Sequence, residues 1–148
     1  MGDIVWAVDP GRDRLSDLVQ RMKQAAFNAL QSNGLRVEFS APEATEQARI
    51  PLSPDRKRHL LLIFKEGVTN VARHAQASHV RASLTLNGHA LQLTLEDDGR
   101  GFDPVSRNHG QGLDSMRRRA AAINGRLLVD SAPGRGTRIQ LNVPLRPQ

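Results

Sequence analysis

The fold class this sequence predicts is a two-layer α/β sandwich, with helices covering one face of a mostly antiparallel mixed sheet. Three observations lead there. Alternating apolar segments pair across glycine turns, 80–86 with 91–95 and 127–129 with 139–143, and read as two hairpins. Three longer segments instead repeat their apolar residues at helical spacing. The resulting order is helix, strand, helix, hairpin, helix, hairpin, so the helices must bury their apolar stripes on the sheet. The polar alternates of the strands then leave its other face open.

Taken in order, residues 1–13 hold Ile4, Val5, Trp6 and Val8 before Asp9-Pro10-Gly11, and read as a connector ahead of the domain at 14–148. The first helix is expected over Leu15 to Ser32, where Leu15, Leu18, Val19, Met22, Ala26, Ala29 and Leu30 recur and Asn33-Gly34 ends it. Leu35, Val37 and Phe39 alternate with charged residues as a strand. Residues 40–54 contain three prolines and read as a loop around a short extended segment. Ser53-Pro54-Asp55 caps the long central helix, expected over Asp55 to Gln76. The hairpin around Asn87-Gly88 follows. After an irregular stretch over 103–110, a third helix is expected from Gln111 to Asn124, before the last hairpin around Pro133-Gly134.

Composition excludes several classes. With 148 residues the chain suits one domain, and it has no cysteine for a disulfide or a thiolate. No run reaches the roughly 18 apolar residues that cross a bilayer, and no signal-peptide pattern opens the chain. The net charge of +6 favours an anionic partner. One Trp, no Tyr and four Phe supply few stacking platforms for nucleic acid. Charge alone leaves a nucleoside triphosphate and DNA both open.

The candidate chemistry gathers in four places. On the central helix Glu66, Asn70 and His74 share a face at spacing i, i+4 and i+8, opposite Leu61, Phe64, Val68 and Val71. Glu66 could orient an attacking group or help position a metal through water, and Asn70 offers a neutral oxygen to hard Mg²⁺. Arg73 and His74 could meet phosphate. At the end of a strand, Asp97-Asp98-Gly99-Arg100-Gly101-Phe102 combines acceptors with glycines that admit a close ligand. Asp98 would suit an amino group on a base, with Asp97 its competitor on the opposite side of the strand. Gly110-Gln111-Gly112-Leu113 opens a helix, where free amides receive phosphate oxygens. Gly134-Arg135-Gly136-Thr137 joins two strands and offers the Thr137 hydroxyl. GxxxxGK[ST] is absent, so the usual phosphate loop is not indicated. His59, His79 and His89 read as surface residues, and no spacing among the histidines makes a metal cassette.

In this order the motifs resemble the ATP-binding catalytic domain of bacterial sensor histidine kinases, nearest the nitrate/nitrite-sensor branch, within the superfamily shared with gyrase and the Hsp90 chaperones. Ile4 to Pro10 also resembles that family's connector. The resemblance implies a Bergerat-type ATP-binding fold with ATP and Mg²⁺ as cofactors. It implies Glu66 as the catalytic residue, Asn70 on the metal, and Asp98 on the adenine amine with Thr137 in support. Gly99 and Gly101 would shape the nucleotide wall; Gly110, Gly112 and Leu113 would frame the lid and the phosphate-facing helix start. Arg73 and His74 are implied on the phosphate side.

The family's phosphoacceptor helix is missing from this sequence, so the resemblance implies transfer to a histidine on a separate dimerisation domain and relay to a response regulator. It also implies a homodimeric parent and a cytoplasmic domain, with a membrane anchor in the parent left open. No direct contact with nucleic acid or membrane is expected of the domain itself. A stand-alone protein-serine kinase of the anti-sigma type is the alternative, followed by a basic DNA-binding module and a degenerate domain that no longer binds ATP.

Overall fold

The computed structural model describes residues 14–103 and 111–145, apart from the side chains of His74, Ala75 and Gln111. The expected connector over 1–13 and Gly110 lie outside the described residues.

The chain runs α1 (Leu15–Ala26), β1 (Arg36–Ser40), α2 (Ala44–Arg49), α3 (Pro54–Asn70), β2 (His79–Asn87), β3 (Ala90–Asp97), α4 (Gln111–Ala122), β4 (Arg126–Ser131) and β5 (Thr137–Pro144). The strands form one sheet in the order β1-β2-β3-β5-β4. Only β1 and β2 pair in parallel; the other neighbours are antiparallel. This is the expected sandwich.

Strand parity decides which side chains meet the helices. Val80, Ala82 and Leu84 of β2, Leu91, Leu93 and Leu95 of β3, and Leu141 and Val143 of β5 are all buried on one face. Leu18 and Met22 of α1, Leu60, Ile63, Phe64 and Val68 of α3, and Met116 and Ala120 of α4 cover them. Gly67 brings α3 close: a β-carbon there would stand 2.8 Å from Leu95 Cδ2 and 4.0 Å from Ile139 Cδ1. The last turn of α3 therefore lies directly on β3 and β5. Ser53 caps α3, its Oγ accepting the Arg56 N–H at 3.2 Å, with Pro54 in the first turn.

Three features differ from the sequence reading. The proline-bearing stretch contains the short helix α2, which buries none of its residues and so left no apolar stripe to read. α1 and α3 each end in a π-helical turn, Phe27–Gln31 and Val71–Ala75, and α3 stops at Gln76 in the left-handed region (φ 52°). His59 is not a surface residue. Its side chain is 13% exposed, and burial holds its imidazole below the ordinary value against the pull of Asp55.

The buried side of α3 also holds Lys57, fully buried, whose Nζ donates to Asp17 Oδ2 of α1 at 3.2 Å. A buried ammonium needs such a partner, and the pair locks the two helices together.

Candidate nucleotide site

The site is built where β3 ends. Leu91, Leu93 and Leu95 face the helices, and because β3 continues to Asp97, the same parity turns Asp97 to that side and Asp98 to the other. The two carboxylates meet different surroundings.

Asp97 is half-buried. Its Oδ1 accepts the Gly99 N–H at 2.8 Å, a local turn that folds the chain back after the strand. Burial pushes its carboxyl above the ordinary value, and the amides of Gly99 and Thr137 only partly offset this. Asp98 is exposed and fully engaged. Its Oδ1 accepts the backbone N–H groups of Ser78 (2.8 Å) and His79 (2.9 Å), and its Oδ2 lies 3.2 Å from His79 Nδ1. Those amides, His79 first, hold its carboxyl below the ordinary value. Asp98 therefore fastens the start of β2 and is turned away from the helix face. Asp97 is the carboxylate of the pair on the helix face.

The two glycine bends beside Asp97 are joined through their backbones. Gly134 N–H donates to Arg100 O at 2.6 Å. Gly101 (φ 66°) and Gly136 (φ 76°) occupy the left-handed region, and side chains would not fit at either. A β-carbon at Gly101 would overlap the Ala132 carbonyl oxygen, and one at Gly136 would overlap that of Asp97. Gly99 lies in the same bend.

Ser131, which the sequence reading passed over, completes this wall. Its Oγ accepts the Phe102 N–H at 2.9 Å, lies 2.9 Å from Gly136 O and lies 2.8 Å from Thr137 Oγ1. The signal was its place on the helix-facing parity of β4, directly opposite Thr137. Phe102 packs against the core.

At the other side of the site, α3 meets α4. A β-carbon on Gly112 would lie 2.7 Å from Glu66 Oε2 and 3.2 Å from Glu66 Cδ. The Glu66 carboxylate is thus lodged against the first turn of α4, where amides lack intrahelical partners, and only glycine at 112 admits it there. Glu66 and Asn70 are both partly exposed one turn apart on α3. Arg73 is exposed, and the side chain of His74 lies outside the described residues. Leu113 is 6% exposed and belongs to the core, so only its backbone could face a ligand.

The structure therefore brings α3, the start of α4 and the two glycine bends to one end of the sheet, on its helix side. A cavity of about 230 Å³ at the ends of β3, β5 and β4 is lined by Asp97, Ser131, Gly136 and Thr137 together with the charged side chains of Glu96, Asp130, Arg135 and Arg138. Glu96, Asp130 and Arg138 stand on the open face and Asp97, Ser131 and Thr137 on the helix face, so this cavity wraps around the strand ends. Among the described residues no group of three or more His, Asp or Glu forms a metal cluster. Mg²⁺ does not require one, because it retains waters and takes oxygens from phosphates; Asn70 and Glu66 suit that donor set.

Comparison with known proteins agrees with this architecture. The family described as histidine kinase-, DNA gyrase B- and HSP90-like ATPase matches residues 55–147. An uncharacterized sensor-like histidine kinase of Chloroflexus aurantiacus is 34% identical over 110 residues, covering 70% of this chain and 18% of that protein. The sensor histidine kinase LiaS of Bacillus subtilis is 40% identical over 92 residues, covering 61% of this chain and 25% of LiaS. The chain thus spans a quarter or less of these two relatives. Among solved structures, the histidine kinase domain of a blue-light-activated histidine kinase from Erythrobacter litoralis superposes with a TM-score of 0.73 at 20% identity, covering 86% of this chain and 61% of that one. The catalytic domain of the histidine kinase ThkA gives 0.71 at 12% identity, covering 91% and 96%. The fold, the glycine bends and the family match over most of the domain lead to one conclusion: the chain belongs to the histidine kinase-, DNA gyrase B- and HSP90-like ATPase family.

Proposed function

We propose that this domain binds Mg-ATP between α3 and the two glycine bends and supplies the γ-phosphoryl group to a histidine on a separate dimerisation domain. The observation that carries the reading is that α3 rests on β3 at Gly67, next to Glu66, while Asp97 ends the helix-facing row of β3 two residues beyond Leu95. Asp97, rather than Asp98, accepts from the adenine amine, with Thr137 beside it. Gly99, Gly101 and Gly136 let the base approach the backbone. The phosphates run toward the start of α4 at Gly112, where the free amides and helix dipole favour anions. Arg73 extends the cationic side of that path.

Asn70 and the phosphates would hold Mg²⁺, which neutralises charge on the phosphate oxygens. In the transfer, a neutral imidazole nitrogen forms the bond to the γ-phosphorus as the bond to the β–γ bridging oxygen breaks and ADP leaves. Glu66 orients the incoming imidazole by accepting its other ring N–H. The parent is then a homodimeric sensor of the nitrate/nitrite type, relaying phosphate to a response regulator. Among the described residues no helix is long and apolar enough to cross a membrane.

Calorimetry with ATP, with and without Mg²⁺, tests the binding half. Asn70→Ala should remove the metal-dependent part of the affinity and Asp97→Asn most of the rest. Adding a purified phosphoacceptor domain with labelled ATP tests the transfer. Acid-labile label on histidine supports the reading, and label on serine of another protein would replace it with the anti-sigma type.

A further inference from the structure

Ser131 has one proton and three polar neighbours, and this assigns every hydrogen bond around it. The Phe102 N–H can only donate, so Ser131 Oγ accepts there at 2.9 Å. The Gly136 carbonyl can only accept, so the contact at 2.9 Å takes the Ser131 proton. The remaining contact, 2.8 Å to Thr137 Oγ1, is satisfied only if Thr137 donates. All three bonds form together in this arrangement and in no other. Thr137 is therefore left with lone pairs alone to show a ligand, contrary to the donor role its hydroxyl suggests from sequence.

Asp97, Thr137 and Ser131 occupy one row across β3, β5 and β4, directly opposite one another in register and on the helix-facing parity. An ionised carboxylate and a hydroxyl whose proton is taken up elsewhere make two adjacent acceptors. We propose that Ser131 is a positioning residue for base selection: by holding the Thr137 proton, it makes the base end of the site an acceptor pair that takes an exocyclic amine and rejects a keto oxygen. An amino group carries two N–H donors for two acceptors. A 6-keto oxygen would face lone pairs on both, and neither half-buried acceptor would gain a donor from it. This rests on reading the pocket as the nucleotide site.

Inosine triphosphate is the discriminating probe, because it differs from ATP in carrying a 6-keto group and a protonated N1. Calorimetry on the full chain should show ATP preferred by about 100-fold or more, the kind of discrimination expected of a site built on buried hydrogen bonds. Ser131→Ala frees the Thr137 hydroxyl to rotate and donate, so the preference should fall by about 10-fold, the equivalent of one hydrogen bond reassigned. Ser131→Thr, which restores a hydroxyl, should recover it. Thr137→Val leaves the Phe102–Ser131–Gly136 links in place and should weaken ATP while sparing inosine triphosphate. It thereby tests the acceptor role even if Ser131→Ala does not fold. In a Thr137→Val background, adding Ser131→Ala should not change the preference.

Equal weakening of both nucleotides by Ser131→Ala or by Thr137→Val would make these residues simple staples and overturn the inference, while leaving the ATP reading intact. A wild-type chain that binds neither nucleotide would overturn the ATP reading itself.

Discussion

Asp97 and Asp98 are identical residues joined by one peptide bond, yet they occupy opposite regions of the molecule. One turns toward the helices, loses water and carries a raised pKa. The other turns outward, collects the Ser78 and His79 amides and carries a lowered one. The difference separates a group that holds the fold from a group available to a ligand. A carboxylate whose oxygens are already engaged by backbone amides stabilises its own loop and gains little from a new donor. A partly desolvated carboxylate with spare lone pairs is a standing penalty that a bound amine would relieve.

The largest expected effect divides the pair by function. Asp97→Asn should weaken ATP binding by about 100-fold, since the Gly99 N–H holds the amide oxygen and turns the NH₂ against the base amine, donor facing donor. Asp98→Asn should leave the affinity within about 3-fold, a change well below one hydrogen bond. Isothermal titration of both variants checks this, and equal losses would erase the distinction.

Stability should divide them in the opposite sense. Removing a partly buried charge at Asp97 should raise the melting temperature of the nucleotide-free protein at pH 7. Asp98→Asn weakens three charge-assisted contacts at an exposed site and should lower it by about 3 °C, the response to roughly 1 kcal/mol in a domain of this size.

The pH dependence carries the same signs. The folded pKa of Asp97 lies above the ordinary 3.8 because of burial, so its destabilising contribution grows as pH rises through that window and is complete above the folded pKa. The contribution of Asp98 is complete above 3.8 and is lost as pH falls through its depressed folded pKa. Thermal melts from pH 3 to 7 should show the gap between wild type and Asp97→Asn widening upward from about pH 4, and the gap for Asp98→Asn closing below it.

A third carboxylate sharpens the contrast through space instead of charge. In a Glu66→Ala background, Gly112→Ala should raise the melting temperature by about 2 °C through helix propensity. In the wild type, where Glu66 must swing aside to admit the new methyl, that gain should disappear. Additive shifts in the two backgrounds would mean that Glu66 does not rest on Gly112.

Much of the fold was legible because burial imposes periodicity. The hairpins, the three long helices and the Ser53 cap of α3 were readable from the chain. α2 was not, since a six-residue helix with no buried side chain has no stripe, and prolines flank it. The π-helical ends were equally silent, because they alter hydrogen bonding without altering the residue pattern. At the site, alternation along the strand already put Asp97 and Asp98 on opposite sides, and the extent of β3 decides that Asp97 shares the side of Leu91, Leu93 and Leu95. Ser131 required the partner strand. Its role depends on register with Thr137 and on the backbone of Phe102, which no local pattern encodes.

The joining of the Arg100 and Gly134 bends, separated by more than thirty residues, has a consequence for drift and design. Because main-chain atoms form the seam, the side chains at Arg100, Pro133 and Arg135 can be exchanged without disturbing it. A residue added to or deleted from either bend would throw its partner out of step. Loop grafts between members of this family should therefore succeed when both bends travel as a matched pair and fail when one is moved alone.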